Sequence, residues 1–431
     1  MHLEIVGGGW AGLSAAVNAV QRGWSVTLWE ASRHLGGRAR TLDHPAGQLD
    51  NGQHILIGAY TDTLSLMRNL GLNPDELLRR QPLTLLRPDG HGLRLPDLPA
   101  PWNLLLGVCR ARGWTWQDRL TLLRCAAQWQ RHNFACPVQT TVAELCRRLT
   151  PRVMDQLIEP LCVSALNTPA REASGVVFLR VLRDALWSGA GSSDLLLPTT
   201  DLGALMPDAA ARWLTERGVD IRLGCRWTSH QLASSSDALV LACPAWEAAR
   251  LTAELHPAWS TQAQALRHAP ITTVYVQHRD PAFIGLPYPM LALTSHAHHP
   301  AQFVLDRGQL FGPSQRGLLA CVVSDSTGTR DALERQVVQQ LEAQLSHLPA
   351  SQNRGSEALS DWTVVQTVME KRATFVCSPA LQRPSSAIGP GWWACGDYVE
   401  GPYPATLEGA VRSGRQVIDQ IAQSRERERR L

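Results

Sequence analysis

Lysine is all but missing from this 431-residue chain: Lys371 stands alone against forty arginines. A codon bias that turns exposed lysines into arginines accounts for this. Under such a bias a surviving lysine marks a place where a compact, titratable ammonium differs from a planar fork. Charge imbalance is missing too. Forty-one cations against 38 acids leave a net charge of +3, which excludes a nucleic-acid-scale basic footprint, so no nucleic-acid partner is expected. No C-x-x-C occurs among the ten cysteines, and none stands with histidine at zinc spacing, so neither a redox dithiol nor a metal site is expected. Several cysteines fall in apolar runs and read as buried thiols of a reducing compartment. No run of about 18 uncharged apolar residues exists, so no spanning helix is expected. The chain enters a strand at its first residues, leaving no room for a signal peptide. The expected location is cytoplasmic, on a membrane surface or free of one.

What is there begins at once. Met1 to Val6 is a short apolar strand, followed by Gly7-Gly8-Gly9-Trp10-Ala11-Gly12, a small-residue helix (Leu13 to Arg22), Gly23 and a second strand, Ser25 to Glu30. This is a βαβ unit carrying G-x-G-x-x-G with an acid 18 positions beyond Gly12. Gly7 makes the tight turn, Gly9 lets a pyrophosphate approach, and Gly12 lets helix and strand pack. Trp10 and Ala11 open the helix, whose free N–H groups and positive dipole end face the phosphates. Glu30 can accept from a ribose diol and would repel a 2′-phosphate, so FAD or NAD fits better than NADP.

Beyond Glu30 come two polar, glycine-rich loops, Arg33 to Arg38 and Leu49 to His54, then a helix near Tyr60 to Leu70. Residues 81–101 hold five prolines and read as hairpins and turns, and 102–148 are helix-rich. There Trp102, Trp114, Trp116 and Trp129 alternate with Arg110, Arg112, Arg119, Arg124 and Arg131, a pattern that fits either ordinary amphipathic packing or a peripheral membrane contact. Asp237 to Ala242 is an apolar strand of the parallel type. Residues 271–276 and 318–323 read as strands of another sheet, Ala332 to Leu345 as a helix, and Thr363 to Thr367 as a strand leading to Glu370-Lys371-Arg372. Gly391 to Asp397 is a strand ending at an acid, Thr406-Leu407-Glu408 opens a last helix, and the charged tail from Arg425 is expected to fray. The fold class is α/β: a Rossmann-like domain with a discontinuous parallel sheet (1–75, 201–260 and 386–431) and an inserted α+β substrate domain with helices and a mixed or antiparallel sheet (76–200 and 261–385).

Asp397 stands where a carboxylate can accept from a sugar alcohol chain, and the helix opening at Leu407 offers N–H groups to a flavin ring. Nicotinamide needs no such second junction; FAD does. Through GGGWAGL, Glu30, GGRAR, DALVLACP, ACGD and TLEGAVRSG the chain resembles the FAD-dependent amine oxidase and phytoene desaturase superfamily over its whole length. Within it, RHLGGRARTL, DNGQHILIGAY, EKRATF and GPYPAT are most similar to the hydroxysqualene dehydroxylase family. The resemblance implies FAD as cofactor. It places Gly36, Gly37 and Arg38 against the pyrophosphate and flavin edge, and Gly52, Gln53 and His54 near the isoalloxazine. Gly396 and Asp397 join the far wall with Thr406 and Leu407. Trp227 takes the adenine-contacting position, where the superfamily usually has a small β-branched residue.

Amine oxidases of the superfamily cage the flavin face with two aromatics, one of them two residues before the glutamate of EGA. Here Thr406 takes that place, which counts against amine oxidation. The resemblance implies reductive loss of the allylic hydroxyl of a C30 polyprenyl substrate, hydroxysqualene, to give squalene. A carotenoid-type desaturase or isomerase, or another FAD-dependent oxidase, is the alternative. Hydroxide leaves poorly without a proton. His54 is the first candidate acid, because an imidazole titrates near working pH; Lys371 is the second, and Tyr403 is a third group expected to face substrate. Each also has a plain structural reading: a flavin or backbone hydrogen bond, a strand-end cation, a packed ring. With one G-x-G-x-x-G and no second Rossmann unit, an unidentified electron donor must restore reduced FAD.

Overall fold

A computed structural model describes residues 1–45, 47–99, 101–228, 236–346 and 361–429. The strand His2–Val6 pairs in parallel with Ser25–Glu30 on one side and Ala238–Leu241 on the other, so that Ile5 stands between Leu28 and Val240. Strands buried on both faces in this way read as continuous apolar runs, which is why LEIV and ALVL were legible. The full order is 220–223, 25–30, 2–6, 238–241, 392–394, 387–389, and only the last strand is antiparallel to its neighbour. Three distant stretches of sequence therefore build one sheet. Its strands end, at their carboxyl edge, in the glycine turn, Glu30 and the segment leading to Asp397, the edge at which open α/β sheets bind ligands.

Small residues bring the first helix, Trp10–Gln21, and the last, Leu407–Glu428, into close contact over this sheet. A Cβ on Gly414 would fall 2.3 Å from the Ala11 carbonyl oxygen, and Ser14 Oγ donates to the Val411 carbonyl at 2.8 Å. The C-terminal helix holds its turns to Glu428 rather than fraying at Arg425, because Arg425 reaches back to Asp237 at the foot of the sheet. Arg430 and Leu431 lie outside the described residues.

A second, antiparallel sheet runs in the order 290–292, 303–306, 318–324, 268–278, 362–375. Its long strand Trp362–Phe375 carries Glu370, Lys371 and Arg372 inside the strand, not beyond its end. The register slips between Ala269 and Ile271 opposite this charged triplet, which lets pairing resume at Thr374. Helices 102–110, 116–131, 159–166 and 175–187 share one apolar core with this sheet. Among the described residues no helix is long and apolar enough to cross a membrane.

Candidate active site

The glycine turn divides its labour. A Cβ on Gly7 would meet the Ala242 carbonyl carbon and oxygen at 2.7 Å, and one on Gly12 would fall 1.9 Å from Gly7 O. Both glycines are demanded by packing. Gly9 is different: the nearest atom to its Cβ would be Gly37 Cα at 3.9 Å, so the space before it is open. The helix it starts has no side-chain cap, leaving the first N–H groups, from Trp10 onward, without intrahelical acceptors. The Trp10 indole N–H donates to the Ala39 carbonyl at 3.0 Å and pins the second loop against the first. Gly36 N–H donates to Gly8 O, and Gly36 and Gly37 take positive φ values of 96° and 62°. The Glu30 carboxylate accepts from Gly8 N and Ser32 N, both at 2.7 Å, which fixes it beside the turn.

Across the groove, Arg38 joins the two ends of the chain. Its guanidinium donates to Asp397 Oδ1 at 2.5 Å and to the Ala373 carbonyl at 2.6 Å. Burial works against the charge of Arg38, and Asp397, with Glu370 behind it, more than offsets that cost, so the Arg38 pKa is raised. Asn51 donates to the Arg38 carbonyl at 2.8 Å and to Glu370 Oε2 at 3.4 Å. A Cβ on Gly396 would fall 2.6 Å from the Tyr398 ring. Thr406 is the N-cap of the last helix, its hydroxyl accepting from Gly409 N at 2.9 Å, and Leu407 is the first residue of that helix. Trp227 is buried, its indole N–H directed to Glu4 at 3.3 Å and its ring edge-on to Trp392. Its side chain belongs to the packing beneath the sheet.

Of the three proton-handling candidates, the structure brings His54 closest to Gly52, whose Cβ would lie 3.7 Å from His54 Cε1. The expectation that His54 titrates near working pH is corrected: burial, and then Arg38, push its pKa down to about 4, so it is a neutral imidazole. Its Nδ1 is buried with no partner among the described residues. Tyr403 does not offer its hydroxyl to the groove. The hydroxyl donates to Asp184 Oδ2 at 2.9 Å, the ring meets Tyr60 edge-on, and burial followed by Asp184 pushes its pKa up to about 12. Lys371 is exposed, between Glu370, which faces Asn51, and Arg372, which stacks on Trp246 at 4.6 Å.

Sequence reasoning missed the support beneath the DNGQH loop. Arg307, fully buried, donates to Asp50 Oδ2 at 3.1 Å and to the Gln48 carbonyl at 3.2 Å, with its guanidinium 3.8 Å from the Phe311 ring centroid. Tyr275 OH donates to the Asp50 carbonyl at 2.8 Å and accepts from Gln53 Nε2 at 2.8 Å. Burial pushes the Asp50 carboxyl up, and Arg307 pulls against it without cancelling it. Thr273 was missed as well: its hydroxyl is buried without a partner among the described residues, 4.0 Å from the Cβ that Gly52 lacks. An arginine 257 positions away and a strand threonine carry no local sequence signal for these roles.

The residues fit a dinucleotide. The space before Gly9 is walled by a second glycine, the helix end is uncapped, and two buried polar atoms, His54 Nδ1 and Thr273 Oγ1, await partners beside Gly52. That geometry, on a parallel sheet completed from both ends of the chain, defines an FAD-dependent oxidoreductase. The chain belongs to the flavin-containing amine oxidoreductase family, whose model matches residues 10–422. It is similar to a hydroxysqualene dehydroxylase of Zymomonas mobilis, at 25% identity over 96% of this chain and 98% of that one. A probable zeta-carotene desaturase of Synechococcus elongatus is 29% identical, over 28% of this chain and 26% of that one. The solved structure of an oxidoreductase from Methanosarcina mazei shares the fold, with a TM-score of 0.69 at 13% identity, over 97% of this chain and 100% of that one.

Proposed function

We propose that this chain removes the allylic hydroxyl of hydroxysqualene to give squalene. The single observation that carries the reading is end-to-end similarity to a hydroxysqualene dehydroxylase, where the desaturase likeness spans 28% of the chain. In the reaction one C–O bond breaks and one C–H bond forms; a hydride and a proton are consumed, the oxygen departs as water, and the two electrons of the hydride must be resupplied by a separate donor. Bound FAD, once reduced, supplies the hydride.

The protein's own part is assigned as follows. Trp10 to Gly12 hold the pyrophosphate through backbone N–H groups, and Glu30 holds the adenosine ribose. Arg38, fixed by Asp397, and the helix end at Leu407 face the far half of the cofactor. His54, neutral, and Thr273 orient the ring by hydrogen bonds. Because a neutral His54 is too weak an acid to protonate a leaving hydroxyl and the Tyr403 hydroxyl is tied to Asp184, the proton for the departing hydroxyl is assigned to Lys371. The second reading, a polyene desaturase, rests on the shorter similarity. Incubating photoreduced protein anaerobically with hydroxysqualene, and oxidised protein with zeta-carotene, separates the two by product. Squalene in the first mixture supports the reading; dehydrogenated carotenoid in the second, with no squalene in the first, overturns it.

A further inference from the structure

The surface around residues 98–131 is built the wrong way round for a helix pair that faces only water. In the helix Trp102–Arg110, the inward positions are taken by Asn103, Gly107 and Val108, while Trp102 and Leu105 face outward with 61% and 40% of their surface exposed. In the helix Trp116–Arg131, Leu122, Cys125, Ala126 and Trp129 fill the buried face, and Trp116 and Leu120 point out, 78% and 47% exposed. Of the four tryptophans in the stretch, Trp114 and Trp129 are therefore core residues, and Trp102 and Trp116 are not. Isolated exposed apolar residues need no explanation. Here they recur at one-turn spacing on two successive helices, with Leu98 also 41% exposed just before the first.

The exposed charge around them is mostly of one sign, with Asp97 beside Leu98 the exception. Among the described residues from Leu98 to Arg131, every exposed charged side chain is an arginine: Arg110, Arg112, Arg124 and Arg131. The one acid, Asp118, is buried and held by Thr115, Thr150 and Arg152. Arg119 lies over the Trp116 ring at 5.1 Å, so cation and indole are presented together.

We infer that this face docks on an anionic lipid surface, with Trp102 and Trp116 entering the headgroup region and the arginines meeting lipid phosphates. A protein partner would call for complementary acids on its own side; a bilayer needs only anionic headgroups and an acyl boundary, which are what two exposed tryptophans, one of them under Arg119, on helices that carry exposed arginines match. The inference stands apart from the proposed reaction, because the test uses vesicles without substrate.

Full-length holoprotein is floated with phosphatidylglycerol/phosphatidylcholine vesicles and with pure phosphatidylcholine vesicles. The wild type is expected to float with the anionic vesicles and to be released in part by salt. The W102A/W116A variant is expected to bind them at least about tenfold more weakly, with flavin absorbance and far-UV dichroism unchanged. The R110Q/R112Q/R124Q variant is expected to lose the preference for anionic vesicles. Failure of the wild type to float, or flotation of W102A/W116A equal to wild type, overturns the inference. So does a wild-type dimer that W102A/W116A converts to monomer while neither binds vesicles.

Discussion

Replacing Arg307 with methionine strands a carboxylate. Asp50 is 3% exposed and is held on its side chain by Arg307 Nη1 at 3.1 Å and by the Leu202 N–H at 2.9 Å. Methionine keeps most of the apolar stem and its contact with Phe311 but removes the cation, leaving Asp50 with one neutral donor. Breaking a buried pair from one side costs about 3–5 kcal/mol, because the remaining charge is uncompensated. The cost depends on pH in a direction that can be worked out. Burial already raises the Asp50 pKa in the folded protein, and loss of Arg307 raises it further. A folded-state carboxyl with a raised pKa contributes stability when protonated and loses it as pH rises through that pKa. The deficit of R307M against wild type is therefore largest at alkaline pH and shrinks as pH falls through the raised Asp50 pKa, below which a protonated Asp50 needs no partner. D50N/R307M is expected to recover much of the loss. The assay is the thermal midpoint of the holoprotein across pH, expected to fall by several degrees in R307M at neutral pH. An R307M midpoint within a degree of wild type, or a double variant no better than the single one, refutes the reasoning.

The glycine turn separates folding from cofactor binding. G12A, which places a Cβ 1.9 Å from Gly7 O, is expected to express as unfolded or aggregated protein, whereas G9A folds with wild-type dichroism but retains FAD at least about tenfold less tightly. H54N is expected to flatten the acid limb of stability. The folded-state pKa of about 4 lies below the ordinary 6.5, so wild type loses stability as pH falls from about 6.5 to about 4, and equal slopes in thermal midpoint for both proteins would contradict this. Y403F removes one hydrogen bond to Asp184 and is expected to cost about 0.5–1.5 kcal/mol in denaturant titration, with single-turnover flavin reoxidation within about twofold of wild type. K371M is expected to slow that reoxidation by about a hundredfold or more with FAD binding unchanged, and unchanged rates would remove Lys371 from the proton-donor role.

Much of the cofactor half was legible because its physics is local. Gly7, Gly9 and Gly12 are spaced by the turn and helix they build, and Leu3–Val6 and Ala238–Leu241 read as strands because both faces are buried. The strand through Lys371 was read too short. Its charged triplet looked like a terminus, and only the partner strand His268–His278 shows that pairing continues past it. His54 was expected to titrate near working pH, but its pKa depends on burial and on Arg38, neither of which sequence spacing displays. Tyr403 looked available because Asp184, its acceptor, lies 219 positions away. The fate of each tryptophan between 102 and 129 likewise turned on which helical face met the core, a choice that the alternation with arginine left open.

The proposed reaction is tested most directly by one anaerobic turnover in D2O. Photoreduced holoprotein mixed with hydroxysqualene is predicted to give one squalene per flavin, carrying one deuterium at the carbon that bore the hydroxyl, as the flavin absorbance returns to its oxidised form. Unchanged hydroxysqualene over a flavin that stays reduced would contradict it.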